Sequence, residues 1–318
     1  MIRAPAFWFR RDSWLGAALS PLSAIGTAIT ARRVARPGWR APVPVICCGN
    51  VTVGGAGKTT LVLDLAQRLR KRGCAVHILL RGYKGASRGV HRVQPDDTAA
   101  MVGDEALLLA EIAPTWTGAD RAASAAAAVA ARATVLLMDD GLQNPSLCKD
   151  LSFLVIDGAT GFGNNRVLPA GPLREPVEAG AARCQAAVLI GPDATGIAVP
   201  LPILRADLVQ GPEIEALRGQ RVLAFAGIAR PEKFFQPLEA AGAEVVDKVP
   251  FPDHHFYTRR ELEGLLDRAR ALDAVPVTTP KDAVRLPPDI RAQVRVVGVS
   301  VAWADGAALD TLLNSVIK

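Results

Sequence analysis

The chain has 318 residues, half of them hydrophobic, enough for two domains of ordinary size with a core in each. Lys and Arg number 37 against 31 Asp and Glu, so the formal net charge is +6 and the pI about 9.3. The whole excess lies in residues 1–40, where seven Arg (Arg3, Arg10, Arg11, Arg32, Arg33, Arg36, Arg40) meet one acid, Asp12. A body that is neutral beyond this arm argues against a broad nucleic-acid-binding face. A basic, apolar arm suits an anionic lipid surface instead.

Residues Ser13 to Ala31 carry no charge over 19 positions. As a helix they would reach ~28 Å, near the minimum for a bilayer span. Ser13, Gly16, Ser20, Pro21, Ser23, Gly26, Thr27 and Thr30 make the stretch poor in large apolar side chains. Trp8, Leu15, Leu19, Leu22 and Ile29 follow one helical face, and Phe7, Trp8, Phe9 and Trp14 suit the headgroup layer. The expectation is an amphipathic helix, kinked at Pro21, lying in the membrane interface. The alternative is a helix packed on the protein's own core. A secretory signal is not expected, because an Arg-rich stretch follows the apolar run without a convincing cleavage site.

Val43 to Cys48 is an apolar run ending in a Gly-rich loop, and Leu61 to Lys71 has helical character stopped by Gly73. Strands are expected at Ala75 to Leu80, Thr134 to Met138, Leu151 to Ile156 and Ala186 to Ile190, with helices from Gly103 to Glu111 and from Ala119 to Arg132. A second alternation starts at Arg221 to Ala226. It continues through a helix at Pro231 to Ala241, a short strand at Glu244 to Val246, a helix at Arg259 to Leu272, and strands at Val275 to Thr278 and Val294 to Val299. Strands alternating with helices imply α/β architecture with parallel sheets. The expected organisation is an arm at 1–36, a P-loop domain at 37–210 and a smaller α/β domain at 211–318. Cysteines at 47, 48, 74, 148 and 184 contain no C-x-x-C and read as packing thiols of a reducing compartment, with no zinc site.

Gly54-Gly55-Ala56-Gly57-Lys58-Thr59 stands between an expected strand and an expected helix. Glycines let backbone N–H groups close around phosphate oxygens, and the helix N-terminus adds its positive end. Lys58 can reach the β- and γ-phosphates of a nucleotide and Thr59 can ligate Mg²⁺. Thr52 stands where the first Gly of such a loop is usual, and the glycine lies earlier, at Gly49. Asp139 and Asp140 end a buried strand where a metal-side carboxylate belongs; the alternative is a turn cap. Val53 stands where partitioning ATPases carry a signature Lys. Thr279-Pro280-Lys281-Asp282 only superficially resembles a guanine-reading motif, since no residue separates Lys from Asp.

Taken together the motifs resemble the tetraacyldisaccharide 4′-kinase family of the lipid A pathway. They are Gly49-Asn50 with Gly54 to Thr59, Arg81-Gly82-Tyr83, Gly103-Asp104-Glu105, Asp139-Asp140-Gly141-Leu142-Gln143, Leu168 to Glu175 (LPAGPLRE), Phe251-Pro252-Asp253-His254-His255 and Lys281-Asp282-Ala283-Val284. Ala56, Thr60, Asn144 and Ala229-Arg230 depart from the family's usual residues. The resemblance implies phosphorylation of the 4′-hydroxyl of a tetraacylated disaccharide 1-phosphate by ATP and Mg²⁺ at the cytoplasmic face of a bacterial inner membrane. It implies nucleotide contacts from Asn50, Gly54, Gly55, Ala56, Gly57, Lys58, Thr59 and Thr60. A metal-side set follows from Thr59, Asp139, Asp140, Glu105 and Gln143. Phosphate or substrate contacts fall to Arg81, Tyr83 and Arg174. Asp104 becomes the candidate base with His254 as its partner from the second unit; bare, the two read equally as a helix cap and a loop histidine. A membrane-surface ATPase switch and a soluble sugar or cofactor kinase remain as alternatives at this point.

Overall fold

The computed structural model describes residues 4–10, 12–82 and 89–317. Apolar runs bounded by turn residues become strands. In chain order these are β1 (Val45–Gly49), β2 (Val76–Leu80), β3 (His91–Arg92), β4 (Thr115–Thr117), β5 (Val135–Asp139), β6 (Leu151–Asp157), β7 (Ala186–Ile190), β8 (Ile203–Gln210), β9 (Arg221–Ala226), β10 (Glu244–Pro250), β11 (Val275–Thr278), β12 (Arg295–Val296) and β13 (Val299–Trp303). The helices are α1 (Trp14–Val34), α2 (Lys58–Lys71), α3 (Ala99–Val102), α4 (Asp104–Ala110), α5 (Arg121–Ala130), α6 (Val177–Ala181), α7 (Glu232–Ala240), α8 (Arg259–Ala271), α9 (Pro280–Ala283), α10 (Pro288–Arg291) and α11 (Gly306–Asn314). The Ala-rich α5 starts where Asp120 caps it, accepting from the N–H groups of Ala122 and Ala123.

Nine strands form one sheet in the order β13-β8-β7-β6-β1-β5-β2-β4-β3, parallel except for β3 on β4 and β13 on β8. β1 is central, between β5 and β6. The chain leaves β1 toward β2 on one side and later returns to β6 on the other. The crevice at the carboxyl ends of β1, β5 and β6 is therefore a topological switch point, where open α/β sheets bind ligands. Alternation within β1 divides the core. Ile46 and Cys48 pack with α2, α4 and α11, whereas Val45 and Cys47 pack with α5. All five cysteines are free. Burial pushes the Cys47 thiol up to about 11 and Cys184 up to about 12, so these thiols are packing groups, not nucleophiles.

A second, parallel sheet has the order β10-β9-β11-β12. In β9, Val222, Ala224 and Ala226 pack with α7, while Leu223 and Phe225 pack with α8. The expected second unit, 211–318, does not keep its last residues. The run read as one strand, Val294 to Val299, is divided: β12 closes the small sheet and β13 crosses back to pair with β8. α11 then buries Leu309 and Leu313 in the core of the large sheet, worth ~1.5–3 kcal/mol each. Trp303 Nε1 donates to Asp64 of α2 at 2.9 Å, fixing the return. The physical reason is the β8 edge, which without β13 would expose a ladder of unpaired backbone groups.

α1 starts at Ser13, whose side chain accepts from Gly16 N, and runs without interruption through Pro21. Its only buried residues are Gly16 and Ser23. Trp14, Leu15, Leu22, Ile25 and Ile29 are exposed. The alternative of a helix packed on the protein's own core is therefore overturned: small residues make the contact and the large apolar side chains turn outward.

Candidate active site

The loop after β1 needs backbone that only glycine adopts easily. Gly54 has φ +113° and Gly57 φ +80°, and a Cβ at Gly57 would lie 2.8 Å from Ile190 Cδ1. Gly57 is the N-cap of α2, so Lys58, Thr59 and Thr60 form its first turn, facing the switch-point crevice. Ala56 is buried in the core, and Asn50 is fully buried, donating to Thr52 Oγ1 at 3.1 Å. Asn50 thus props the loop from within. Gly55 has nothing within 4 Å of where a Cβ would lie.

Thr59 Oγ1 donates to Asp139 Oδ2 at 3.0 Å, and the other oxygen, Asp139 Oδ1, is buried without a partner. Burial, followed by the charge of Glu105, pushes Asp139 up to about 7, against the pull of Lys58. A carboxylate in this condition fits a cation. Oxygen ligands from Thr59 and Asp139 suit Mg²⁺, which keeps several waters of its own. Among the described residues, no three His, Cys, Asp or Glu side chains gather as a metal cluster. Asp140 is turned elsewhere. Lys58 Nζ lies 3.6 Å from its Oδ1, and Arg174 Nη1 donates to Oδ1 at 3.0 Å and Oδ2 at 2.9 Å. Burial pushes Asp140 up, but Lys58 and Arg174 outweigh it and hold the carboxyl below its ordinary range. Gln143 is likewise engaged, its amide donating to Asn50 O and Glu175 Oε1, both at 2.8 Å.

Asp104 opens α4, and His254 sits in the loop after β10 on the other unit. His254 Nδ1 and Asp104 Oδ2 are 2.7 Å apart. Burial raises Asp104, but the hydrogen bond and charge of His254, then Lys281 and Arg285, outweigh it and hold the carboxyl below 3.8. It is ionised at neutral pH, so the bridging proton belongs to His254 Nδ1, which donates. His254 has φ +60° and Asp140 φ +53°, backbone that costs a non-glycine residue about 1 kcal/mol or more and that clusters at functional sites. A second cross-unit pair, Lys281 Nζ to Glu105 Oε1 at 3.0 Å, lies beside the first. The influence of Glu105 on Asp139 links the Asp104 side of the crevice to the Gly-rich loop.

Several participants carry no role in the sequence analysis. Arg285, 2% exposed in its side chain, donates to Gly227 O at 3.2 Å, His255 O at 2.8 Å and Asp282 Oδ1 at 2.9 Å, and its Nε is 3.9 Å from Asp104. Asp282, fully buried, also accepts from Gly227 N at 2.9 Å, Tyr257 Oη at 2.6 Å and Thr279 Oγ1 at 2.6 Å. The guanine-like string at 279–282 is thus a capped helix start that braces the His254 loop. Arg121, read as part of a plain Ala-rich helix, is buried and held by Gly118 O; burial lowers it to about 10 while Asp140 and Asp139 act in the opposite sense. Arg81 is exposed at the end of β2. Tyr83 lies outside the described residues.

A glycine-lined loop at the switch point, a threonine–aspartate pair under it, and an Asp–His pair facing it from across two units define a P-loop phosphotransferase. The family model for tetraacyldisaccharide-1-P 4'-kinase matches residues 15–318. The chain is 56% identical to the tetraacyldisaccharide 4'-kinase of Rhodospirillum centenum, over 100% of this chain and 97% of that protein. It is also 56% identical to that of Gluconacetobacter diazotrophicus, over 98% of each. Its structure is similar to LpxK from Aquifex aeolicus in complex with ATP, with a TM-score of 0.79 at 27% identity, covering 96% of this chain and 100% of that one. The chain belongs to the tetraacyldisaccharide-1-P 4'-kinase family.

Proposed function

We propose that the chain transfers the γ-phosphate of ATP to the 4′-hydroxyl of tetraacyldisaccharide 1-phosphate in the crevice between the Gly-rich loop and the Asp104–His254 pair. The observation that carries the residue roles is that pair, joined at 2.7 Å across the two units, with the adjoining Glu105 near enough to Asp139 for its charge to raise it. In the reaction the 4′ oxygen bonds to the γ-phosphorus as the bond to the β,γ-bridging oxygen breaks. ADP leaves, and the hydroxyl proton passes to a carboxylate. Asp104 is that acceptor: it is buried, held ionised by His254, Lys281 and Arg285, and opens a helix. His254, donating from Nδ1, orients the carboxylate and spreads the proton's charge.

Lys58 and the backbone N–H groups of 54–59 hold the phosphates, with Arg174 positioned over Asp140 to meet charge that develops on transfer. Thr59 and Asp139 would hold Mg²⁺, with the charge of Glu105 acting on Asp139. Bound there, the ion neutralises charge on the β- and γ-phosphates. Asp140 acts as counterion to Lys58 and Arg174, and Gln143 braces the loop. α1 is long and apolar enough to cross a bilayer by length and composition, and its large apolar side chains face outward. With Arg32, Arg33 and Arg36 beside its last turn, it fits an arm seated in the anionic cytoplasmic leaflet that brings the site to its lipid substrate.

The test supplies γ-labelled ATP with the acylated disaccharide in mixed micelles. Label is expected on lipid, with Asp104→Ala and Lys58→Ala each lowering kcat by ~10²–10⁴. Label only in free phosphate would overturn the kinase reading. Near-normal turnover in Asp104→Ala would remove it as the base.

A further inference from the structure

The segment from Asn164 to Glu175 contains the LPAGPLRE string, of which the reaction uses only Arg174. One side of this segment is the seat of the arm. Ser23 Oγ of α1 donates to Val167 O at 2.6 Å and accepts from Ala170 N at 3.3 Å. Asn164, 6% exposed, donates through Nδ2 to Ala170 O at 2.9 Å and to Phe7 O at 3.3 Å, and its backbone N donates to Trp8 O at 2.7 Å. Arg166 bonds Ser20 Oγ, and Trp8 Nε1 donates to Pro169 O at 3.1 Å. The other side pairs with the Gly-rich loop itself. Val53 N donates to Pro172 O at 2.8 Å, Arg174 N donates to Val51 O at 2.6 Å, and Thr52 and Leu173 form an antiparallel bridge. The segment is doubled on itself by Leu173 N to Arg166 O at 3.0 Å and Leu168 N to Leu173 O at 2.8 Å. Two short steps of hydrogen bonds therefore run from α1 to residues 51–53, and the same segment carries Arg174 to Asp140.

We propose that Ser23 and Asn164 are positioning residues for the nucleotide half of the site: the seating of α1 on residues 164–173 sets the Gly-rich loop and Arg174, so the arm tunes ATP affinity as well as location. An arm that served only as an anchor would need no buried polar seat. Large apolar contacts would hold it more simply, whereas Ser23 sits 7% exposed with its hydroxyl spent on the segment that edges the loop. The proposal rests on the nucleotide-site reading given above and is independent of whether α1 inserts in lipid. By linkage, if bilayer contact shifts the seat, nucleotide affinity and membrane affinity change each other by the same factor.

The experiment compares full-length wild type with Ser23→Ala, Ser23→Thr and Asn164→Ala, measuring KM for ATP, KM for the acylated disaccharide and vesicle flotation. Ser20→Ala, at the half-buried edge of the seat where Ser20 meets Arg166, serves as the milder variant should Asn164→Ala fail to fold. KM for ATP is expected to rise about tenfold in Ser23→Ala and Asn164→Ala and less in Ser20→Ala. KM for lipid and flotation stay near wild type, and Ser23→Thr recovers the ATP affinity. An unchanged KM for ATP in folded Ser23→Ala would overturn the proposal. So would a loss confined to lipid KM and flotation, which would leave the seat as part of an anchor only. Loss of all label transfer in wild type would instead count against the function reading beneath it.

Discussion

Replacing Arg285 with Ala tests whether the second unit aims His254 through a buried cation. The guanidinium donates to Gly227 O and His255 O, and Gly227 O also accepts from His254 N at 3.1 Å. Two carbonyls that frame His254 thus lose their shared donor, and the fully buried Asp282 loses its cation. Breaking a buried ion pair costs ~3–5 kcal/mol. Donation from Gly227 N, Tyr257 Oη and Thr279 Oγ1 survives, which puts this case near the lower end, about 3 kcal/mol. Total stability is typically ~5–15 kcal/mol, so the variant folds at 25 °C but melts earlier, by ~10–20 °C for a unit of this size. A displacement of about 1 Å at a reacting group costs ~10²-fold in rate. The expected result is kcat lowered about 10²-fold with KM for ATP little changed, because the proposed nucleotide site lies on the other unit. Label transfer would be measured at a temperature where circular dichroism shows the variant folded. A kcat within a few-fold of wild type there, or a defect confined to KM for ATP, would refute the reasoning.

Asp139→Asn removes the carboxylate with the orphaned oxygen, and the Mg²⁺ concentration for half-maximal activity should rise at least ~10-fold; an unchanged Mg²⁺ titration places the ion elsewhere. Ser substitutions at Leu22, Ile25 and Ile29, which are 54%, 60% and 62% exposed, should abolish vesicle flotation while leaving Tm unchanged. A fall in Tm would mean that these side chains pack against protein. Asp104 yields a pH prediction. Its folded-state pKa lies below 3.8, so between those values the unfolded chain holds more protons. Its contribution to stability is complete above 3.8 and is lost as pH falls through the lowered value. Asp104→Asn should therefore flatten the fall of Tm below about pH 4, and parallel Tm–pH curves would speak against the ion pair.

Much of the Gly-rich loop and its neighbouring acid was legible because it is local. Gly54 to Thr60 carries its own backbone requirements, and Asp139 lies at the end of an apolar strand that could only be buried. Asp104 and His254 are 150 positions apart, and nothing in either neighbourhood requires the other; only the family's ordered motifs suggested the pair. Arg285 went unassigned because an arginine one residue past a short motif reads as a solvated side chain. Its burial is created by the neighbouring Asp282 together with Tyr257 and Gly227, which arrive from two other stretches. Asp140 illustrates the limit of adjacency: it follows Asp139 and looks like a second metal ligand, but a left-handed backbone turns it toward Lys58 and Arg174.

By itself, then, the sequence determined the α/β alternation, the Gly-rich loop between a strand and a helix, and a basic, apolar arm, since these follow from patterns within a turn or a strand. Tertiary structure alone decided that residues 299–317 return to the first sheet, because an edge strand is completed by whichever distant segment matches it. It alone decided that α1 docks through Gly16 and Ser23 and presents its large apolar side chains outward. It also decided which of two adjacent aspartates is left with a free oxygen. In each case the deciding quantity is the company a side chain keeps after folding, and that company is drawn from positions too far apart for any local pattern to specify.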